Sequence, residues 1–377
     1  MKSKLPLITF RVQNFKAVQD SKTIKFTPLT AFIGNNGSGK SSIIEALETL
    51  QILALHGIDA AMQPWHGFEY IWNQAKGHKP RMIGDREQLS NPMTFGFHAL
   101  LERKLPYKTL SYKIRIHLEI AADSNFNKVF FQKYKTSYPS GKLTESPEYI
   151  THGEITDSNL KVCVEDWQFL RLIPQFMTEP MLQKRSIGKT KLNKDGSNIA
   201  EYLQSIRDKN LHAFNGIVEA LKVVLPFAID LQPVITSELE RKAYLALSEE
   251  NIKPKLPGWL ISTGTLRILA LLALLRDPDP PPVIIVEEIE NGLDPRTVHL
   301  LVDEIRSFVE SGHGQVIFTT HSPYLLDLLS LSQIIVVNRD ESDVPQFTRP
   351  ASQKALEEWA KKFSPGKLYT MGKLARR

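Results

Sequence analysis

The chain has 377 residues and a formal net charge of +6, with 42% apolar and 23% charged side chains. That balance is ordinary for a folded globular protein and leaves room for an elaborated α/β domain carrying an insertion. No run of eighteen uninterrupted apolar residues offers a membrane span, and the single cysteine, Cys163, excludes an internal disulfide; Cys and His residues show no zinc-site spacing. The opening "MKSKLPLITFRVQNF" alternates polar and apolar residues too soon for a secretory leader, which predicts a cytoplasmic chain.

Residues 7–33 alternate in the same way and then give the apolar strand "LTAFI", which runs directly into glycines. The next segment, "SSIIEALETLQILAL", is made of strong helix formers and is apolar nearly all round, as expected of a helix packed on a sheet. Residues 94–135 hold three β-rich runs, "MTFGFHALL", "LSYKIRIHLEI" and "KVFFQKY", which predict an antiparallel meander. From about 165 to 225 the pattern reads as helical, with "SNIAEYLQSIRDK" opening on a Ser or Asn cap; residues 229–256 return to short strands.

Beyond 258 the elements alternate: helix "TLRILALLALL", strand "VIIV", helix 295–310, strand "QVIFTT", helix 323–329 and strand "QIIVV". Such alternation predicts a parallel sheet covered by helices. The prolines of "RDPDPPPV" force a loop before the strand. Lys184, Arg185, Lys189, Lys191 and Lys194 form the densest basic run. It reads first as a solvated loop and second as a nucleic-acid contact, as do Lys361, Lys362, Lys367, Lys373, Arg376 and Arg377 near the C-terminus.

The sharpest chemical signal is "GNNGSGKSS", which fits G-x4-G-K-[ST] between a strand and a helix. Gly34, Asn35, Asn36, Gly37, Ser38 and Gly39 would wrap backbone N–H groups around phosphates, at the positive end of the following helix. Lys40 would reach the β- and γ-phosphates, the Ser41 hydroxyl would ligate Mg2+, and Ser42 completes the loop. A phosphate cradle of this kind requires carboxylates to hold the metal and orient water. "VIIVEEIENGLDP" supplies them, where an apolar strand ends in an acid pair. Successive strand side chains point to opposite sides, so Glu287 is assigned to the Mg2+ shell through a water and Glu288 to the attacking water; Glu290 supports the site from the loop. "STGTLR", from Ser262 to Arg267, reads as a capped helix start with Gly264 in its first turn. His321 in "TTHSP" ends a strand where it could hydrogen-bond a γ-phosphate.

Together "GNNGSGKSS", "ISTGTLR", "VIIVEEIENGLDP" and "QVIFTTHSPYLLD", in that order, resemble the ATP-binding-cassette ATPases of the SMC, RecF and OLD branch, and most closely the compact bacterial AAA_21 type. "KLNKDGSNIAEYL" and "SPGKLYTMGKL" resemble segments of the same group, so the likeness spans nearly the whole chain. It implies an α/β P-loop NTPase, ABC/SMC-head-like, with a mixed sheet, an antiparallel β subdomain and an inserted helical lobe. The single discontinuous head would comprise 1–100 with the P-loop, 101–257 as meander plus helical lobe, and 258–377 with the signature, the acid strand and the switch histidine, His321.

The resemblance also implies a homodimer that sandwiches two ATP molecules, with scope for higher assembly. Ser262 and Gly264 of one copy would face the γ-phosphate held by the other, and Asn291 to Asp294 would cross the interface. Arg267 stands where the group usually has a basic residue. Thr263, Glu287 and Ile289 depart from the common Asp, Asp and Pro, and Gln74 and Gln88 both qualify as the glutamine linking metal to the second lobe. The function implied is ATP hydrolysis that drives or gates an effector such as a nuclease or toxin, in DNA processing or antiphage defence, with no membrane partner. A slowly hydrolysing, nucleotide-gated scaffold is the alternative, and a transporter subunit a more distant one. A TOPRIM nuclease cluster would require a further domain after residue 340.

Overall fold

A computed structural model of the chain describes residues 5–75, 91–105, 108–123, 126–138, 142–183, 189–236, 240–352 and 356–374. Lys184, Arg185, Gln88, Arg376 and Arg377, singled out above, lie outside the described residues. The chain divides into two compact units: Lys4–Trp167 with Leu329–Arg377, and Gln168–Leu328.

The first unit contains the expected meander. Strands Met93–Leu105, Lys108–Ala122 and Val129–Ser137 run antiparallel in sequence, and Leu7–Phe15 pairs beside the first of them with Phe10 opposite Phe97. One face is apolar because alternate residues, Phe95, Phe97, Ala99 and Leu101 along one strand, are all buried. The Phe15 and Phe95 rings meet edge-to-face at 6.0 Å. Strand Leu29–Ile33, buried at every residue, pairs in parallel with Ile334–Arg339, which pairs in turn antiparallel with Pro345–Thr348. Burial on both faces explains why "LTAFI" is an apolar run rather than an alternation.

Helix Lys40–Met62 then buries Ile43, Ile44, Leu47, Leu50 and Leu53, each worth about 1.5–3 kcal/mol on transfer from water. Gly57, at φ 80°, breaks it, and the neighbouring Ile58 N–H donates to Gly153 O at 3.1 Å. Asp157 is 1% exposed and caps helix Ser158–Val164 by accepting from the N–H groups of Asn159 (2.9 Å) and Leu160 (3.3 Å). It also accepts from the Tyr134 hydroxyl (2.8 Å) and from that of Tyr138. Burial, reinforced by the Asp157 charge, raises both phenols well above their ordinary range. Cys163 is buried in the same region and its thiol is pushed up to about 12, which makes it inert.

In the second unit, strands Val283–Val286 and Gln315–Thr320 are parallel, Val283 opposite Gln315 and Val286 opposite Phe318, and every residue in both is buried. Helix Pro295–Glu310 matches the span read from the sequence, and helix Thr263–Leu275 is apolar nearly all round. The Arg276 guanidinium joins three helices: it donates to both oxygens of Glu304 (2.9 and 2.6 Å) and to Gly216 O (2.9 Å). Helices Ile199–Lys209 and Leu211–Val224 pack beside an antiparallel sheet of Ala228–Ile235, Lys242–Glu249 and Ile252–Pro257.

One sequence expectation is corrected here. The described residues between 165 and 198 are not helical throughout: Trp167–Leu170 is a four-residue strand, followed by one helical turn at Pro174–Met177 and a short strand at Met181–Leu182, and residues 189–198 form turns. A four-residue apolar run has too few positions to separate helix from strand by period. Among the described residues no helix is long and apolar enough to cross a membrane.

Replacing Asp157 by Ala removes a cap and strands one buried and one half-buried phenol, so unfolding free energy should fall by about 2–4 kcal/mol. Urea unfolding followed by tyrosine fluorescence measures this; a loss below about 1 kcal/mol would remove Asp157 as the organiser of that corner.

Candidate functional site

The phosphate loop lies in the first unit. Strand Leu29–Ile33 delivers the chain to Gly34, where a Cβ would stand 2.1 Å from Val337 O, so no larger residue fits. Gly37 (φ 73°) and Gly39 (φ 110°) take the left-handed conformations that turn successive N–H groups to one side of the loop. The loop is pinned from outside: Arg339 Nε donates to Gly37 O at 2.9 Å, and the Tyr369 hydroxyl meets Asn35 Oδ1 at 3.4 Å. Tyr369 belongs to the short helix Pro365–Thr370 within "SPGKLYTMGKL", which accounts for that segment's link to the loop.

Helix Lys40–Met62 starts on Gly39 with no side-chain cap, so its first-turn N–H groups lack the usual Ser or Asp acceptor. Lys40 is 6% exposed, with its ammonium donating to Gly34 O (2.7 Å) and Asn35 O (3.0 Å) inside the turn. Ser38 Oγ is buried there without a partner. Asn35, Asn36 and Ser41 are exposed and Ser42 half-buried. The uncapped N-terminus, the inward glycines, the buried ammonium and the orphan hydroxyl together fit a polyphosphate.

The acids lie in the second unit. The strand ends at Val286, so Glu287 and Glu288 are not successive strand residues, and pleat alternation does not set their directions. A turn does: Glu288 has φ 49°, unusual outside glycine, and this backbone strain is held in place by neighbours. The Glu287 N–H donates to Leu170 O (2.9 Å), the Glu288 N–H to Thr319 Oγ1 (2.8 Å) and the Ile289 N–H to Thr319 O (3.2 Å). The His321 N–H donates to Glu290 Oε1 at 2.6 Å, while Glu290 Oε2 is buried without a partner. The acid turn and the histidine loop are therefore zipped together through the ends of two parallel strands. Glu288 is exposed and accepts from Asn291 Nδ2 at 3.3 Å.

In the same unit, Ser262 caps helix Thr263–Leu275 by accepting from the Thr265 N–H at 3.1 Å, as the sequence predicts. Gly264 is required within its own chain: a Cβ there would meet Gly292 O at 2.6 Å. Asp294, at the end of the Asn291–Asp294 turn, caps helix Pro295–Glu310.

Three features were out of reach of pattern reading. Gln74 lies in the unit of the phosphate loop and donates to Glu69 O at 2.6 Å. The strand bonded to the carboxylate turn is "WQFL", and the residues that follow it, Arg171 to Gln175, occupy the carboxylate end. "KLNKDGSN" folds around that end, with the Arg171 N–H donating to Lys194 O (2.8 Å) and Asn198 bonding both Asn193 N (2.7 Å) and Lys191 O (2.9 Å). Lys189, from the basic run, is paired with Asp279 at 2.8 Å. Among the described residues no cluster of three or more His, Cys, Asp or Glu side chains could hold a metal alone.

The family model described as "AAA domain, putative AbiEii toxin, Type IV TA system" (AAA_21) matches residues 29–327. A Helicobacter pylori protein named ATP/GTP phosphatase is 21% identical over 344 residues, covering 85% of this chain and 86% of that one. An Smc head solved with the C-winged helix domain of ScpA superposes with a TM-score of 0.60 at 16% identity, over 95% of this chain and all of that one. The Pyrococcus furiosus Smc head with an extended coiled coil, bound to the C-terminal domain of ScpA, gives 0.58 at 13%, over 94% and 99%. The chain belongs to the AAA_21 family and has the Smc-head type of P-loop NTPase fold; it is an ATPase of the AAA/SMC-like type.

Gly34→Ala should prevent the loop from closing, lowering the melting temperature and abolishing ATP binding. Gly37→Ala meets open space and should cost only the backbone strain of about 1–2 kcal/mol. Thermal melts with and without ATP compare them, and equal behaviour would refute the stated role of the Val337 contact.

Proposed function

We propose that this ATPase binds ATP with Mg2+ at Gly34–Ser42, hydrolyses it with Glu288, and uses the nucleotide to close a head-to-tail dimer that gates a partner. The observation that carries the proposal is the uncapped start of helix Lys40–Met62 with a buried lysine inside its glycine turn. Phosphates satisfy the first-turn N–H groups and Lys40 holds the β- and γ-oxygens. Bound Mg2+ supplies charge neutralisation at the phosphates. Ser41 and Glu287 are its proposed protein ligands, and so few suffice because Mg2+ keeps several waters and takes phosphate oxygens. Glu288 orients the attacking water and takes its proton, and His321 donates a hydrogen bond to the γ-phosphoryl group.

The dimer is supported by the exposed Ser262 cap and the resemblance of the motif order to sandwich ATPases. Gly264 needs no second copy to explain it, so it supports the dimer less than Ser262 does. The Smc heads named above were solved with ScpA domains, which makes a protein partner the natural output. The family description points to toxin–antitoxin systems, and we extend the proposal to a toxin or nuclease partner in antiphage defence. The Helicobacter pylori relative's name includes GTP, so both nucleotides belong in the assay.

Lys40→Ala should weaken ATP binding by at least about tenfold, because a charge-assisted phosphate contact is lost; unchanged affinity by calorimetry would refute the cradle. Glu288→Gln should keep ATP affinity within about twofold, slow turnover by about 10²-fold or more and raise the dimer fraction in light scattering with ATP. Turnover at the wild-type rate in that variant would overturn the role given to Glu288.

A further inference from the structure

Arg267 is half-buried, and among the described residues its guanidinium makes no hydrogen bond or ion pair. A buried arginine stem normally ends in a carboxylate, a carbonyl or water, because leaving five N–H donors unmatched is costly. Its surroundings are specific. A Cβ on Gly292 would stand 3.7 Å from Arg267 Cδ and 3.8 Å from Nε, so the arginine stem lies along the turn Glu288–Gly292. That turn is closed by the Asn291 N–H donating to Glu288 O at 3.0 Å. Gly264, three residues earlier on the same face of the helix, meets the same Gly292 carbonyl. The burial that lowers the guanidinium's proton affinity is opposed by the charge of Glu288.

We infer that Arg267 is a positioning residue for Glu288, tying the Ser262-capped helix to the acid turn of the same chain. Glu288 sits on strained backbone, is exposed, and has a single weak side-chain hydrogen bond at 3.3 Å. A carboxylate so loosely held needs an outside partner to stay in one orientation, and a guanidinium on a rigid helix, its stem running along the same turn, is placed to supply the charge. A shift of the helix start on meeting a phosphate would then be transmitted to the acid through one side chain. The inference rests on the reading of Glu288 as the residue that orients water.

Arg267→Gln should lower kcat by about tenfold with KM for ATP within about twofold, since a misaligned acid affects only the chemical step. Arg267→Lys, which retains stem and charge, should recover most of the loss. In the Glu288→Gln background, Arg267→Gln should lower residual turnover no further, because it acts through the missing carboxylate. Melting temperatures of all variants separate misfolding from misalignment, and the Lys variant carries the test if the Gln variant does not fold. Wild-type kcat in a folded Arg267→Gln or Arg267→Met chain, or a raised KM with unchanged kcat, would overturn the inference while leaving Glu288 in place. Wild-type turnover in Glu288→Gln alone would instead remove the reading beneath it.

Discussion

A helix that begins without a cap is the constraint from which the rest follows. Helix Lys40–Met62 is long and deeply buried along one side, so it cannot fray away from its first turn, yet Gly39 offers no side-chain acceptor to the N–H groups there. The chain has placed glycines and a buried ammonium at the one point where a Ser, Asp or Asn would stabilise the apo fold. Local stability of about 1 kcal/mol is forgone at that position. Such an arrangement makes physical sense when an anion completes it.

The same economy appears in the second unit. The acid turn uses a strained residue, Glu288, and a carboxylate, Glu290, with one oxygen bonded and the other orphaned in a buried place. Backbone bonds to Thr319 and His321 hold the turn at the ends of two parallel strands, which is where open α/β sheets collect their ligands. Polar groups left unsatisfied in a folded protein mark where function outweighs stability. Ser38 Oγ and Glu290 Oε2, both buried without a partner, are of this kind and lie within the motifs that carry the chemistry.

Much of this was legible in the sequence because the relevant signals are local. The strand–glycine–helix order around Lys40, the Ser262 cap and the helix opening at Pro295 are each set by residues within a few positions of one another. What was not legible depends on distant partners. Gly264 looks like a helix-start glycine, and only the fold shows Gly292 O pressing on it. The acid pair read as two faces of a strand because nothing in "VIIVEE" announces that the strand stops at Val286 and Glu288 turns left-handed. "WQFL" is too short to declare itself by period, so the element beside the acids does not separate from the helical pattern around it.

Amide hydrogen exchange at residues 37–43, with and without a non-hydrolysable ATP analogue, tests the central claim most directly. Within that stretch the N–H groups of residues 39–42 have no intrahelical acceptor, so they should exchange freely in the apo chain and slow by about 10²-fold or more when phosphates take them up. Slowed exchange elsewhere with residues 37–43 unchanged would mean that the nucleotide binds by some other route.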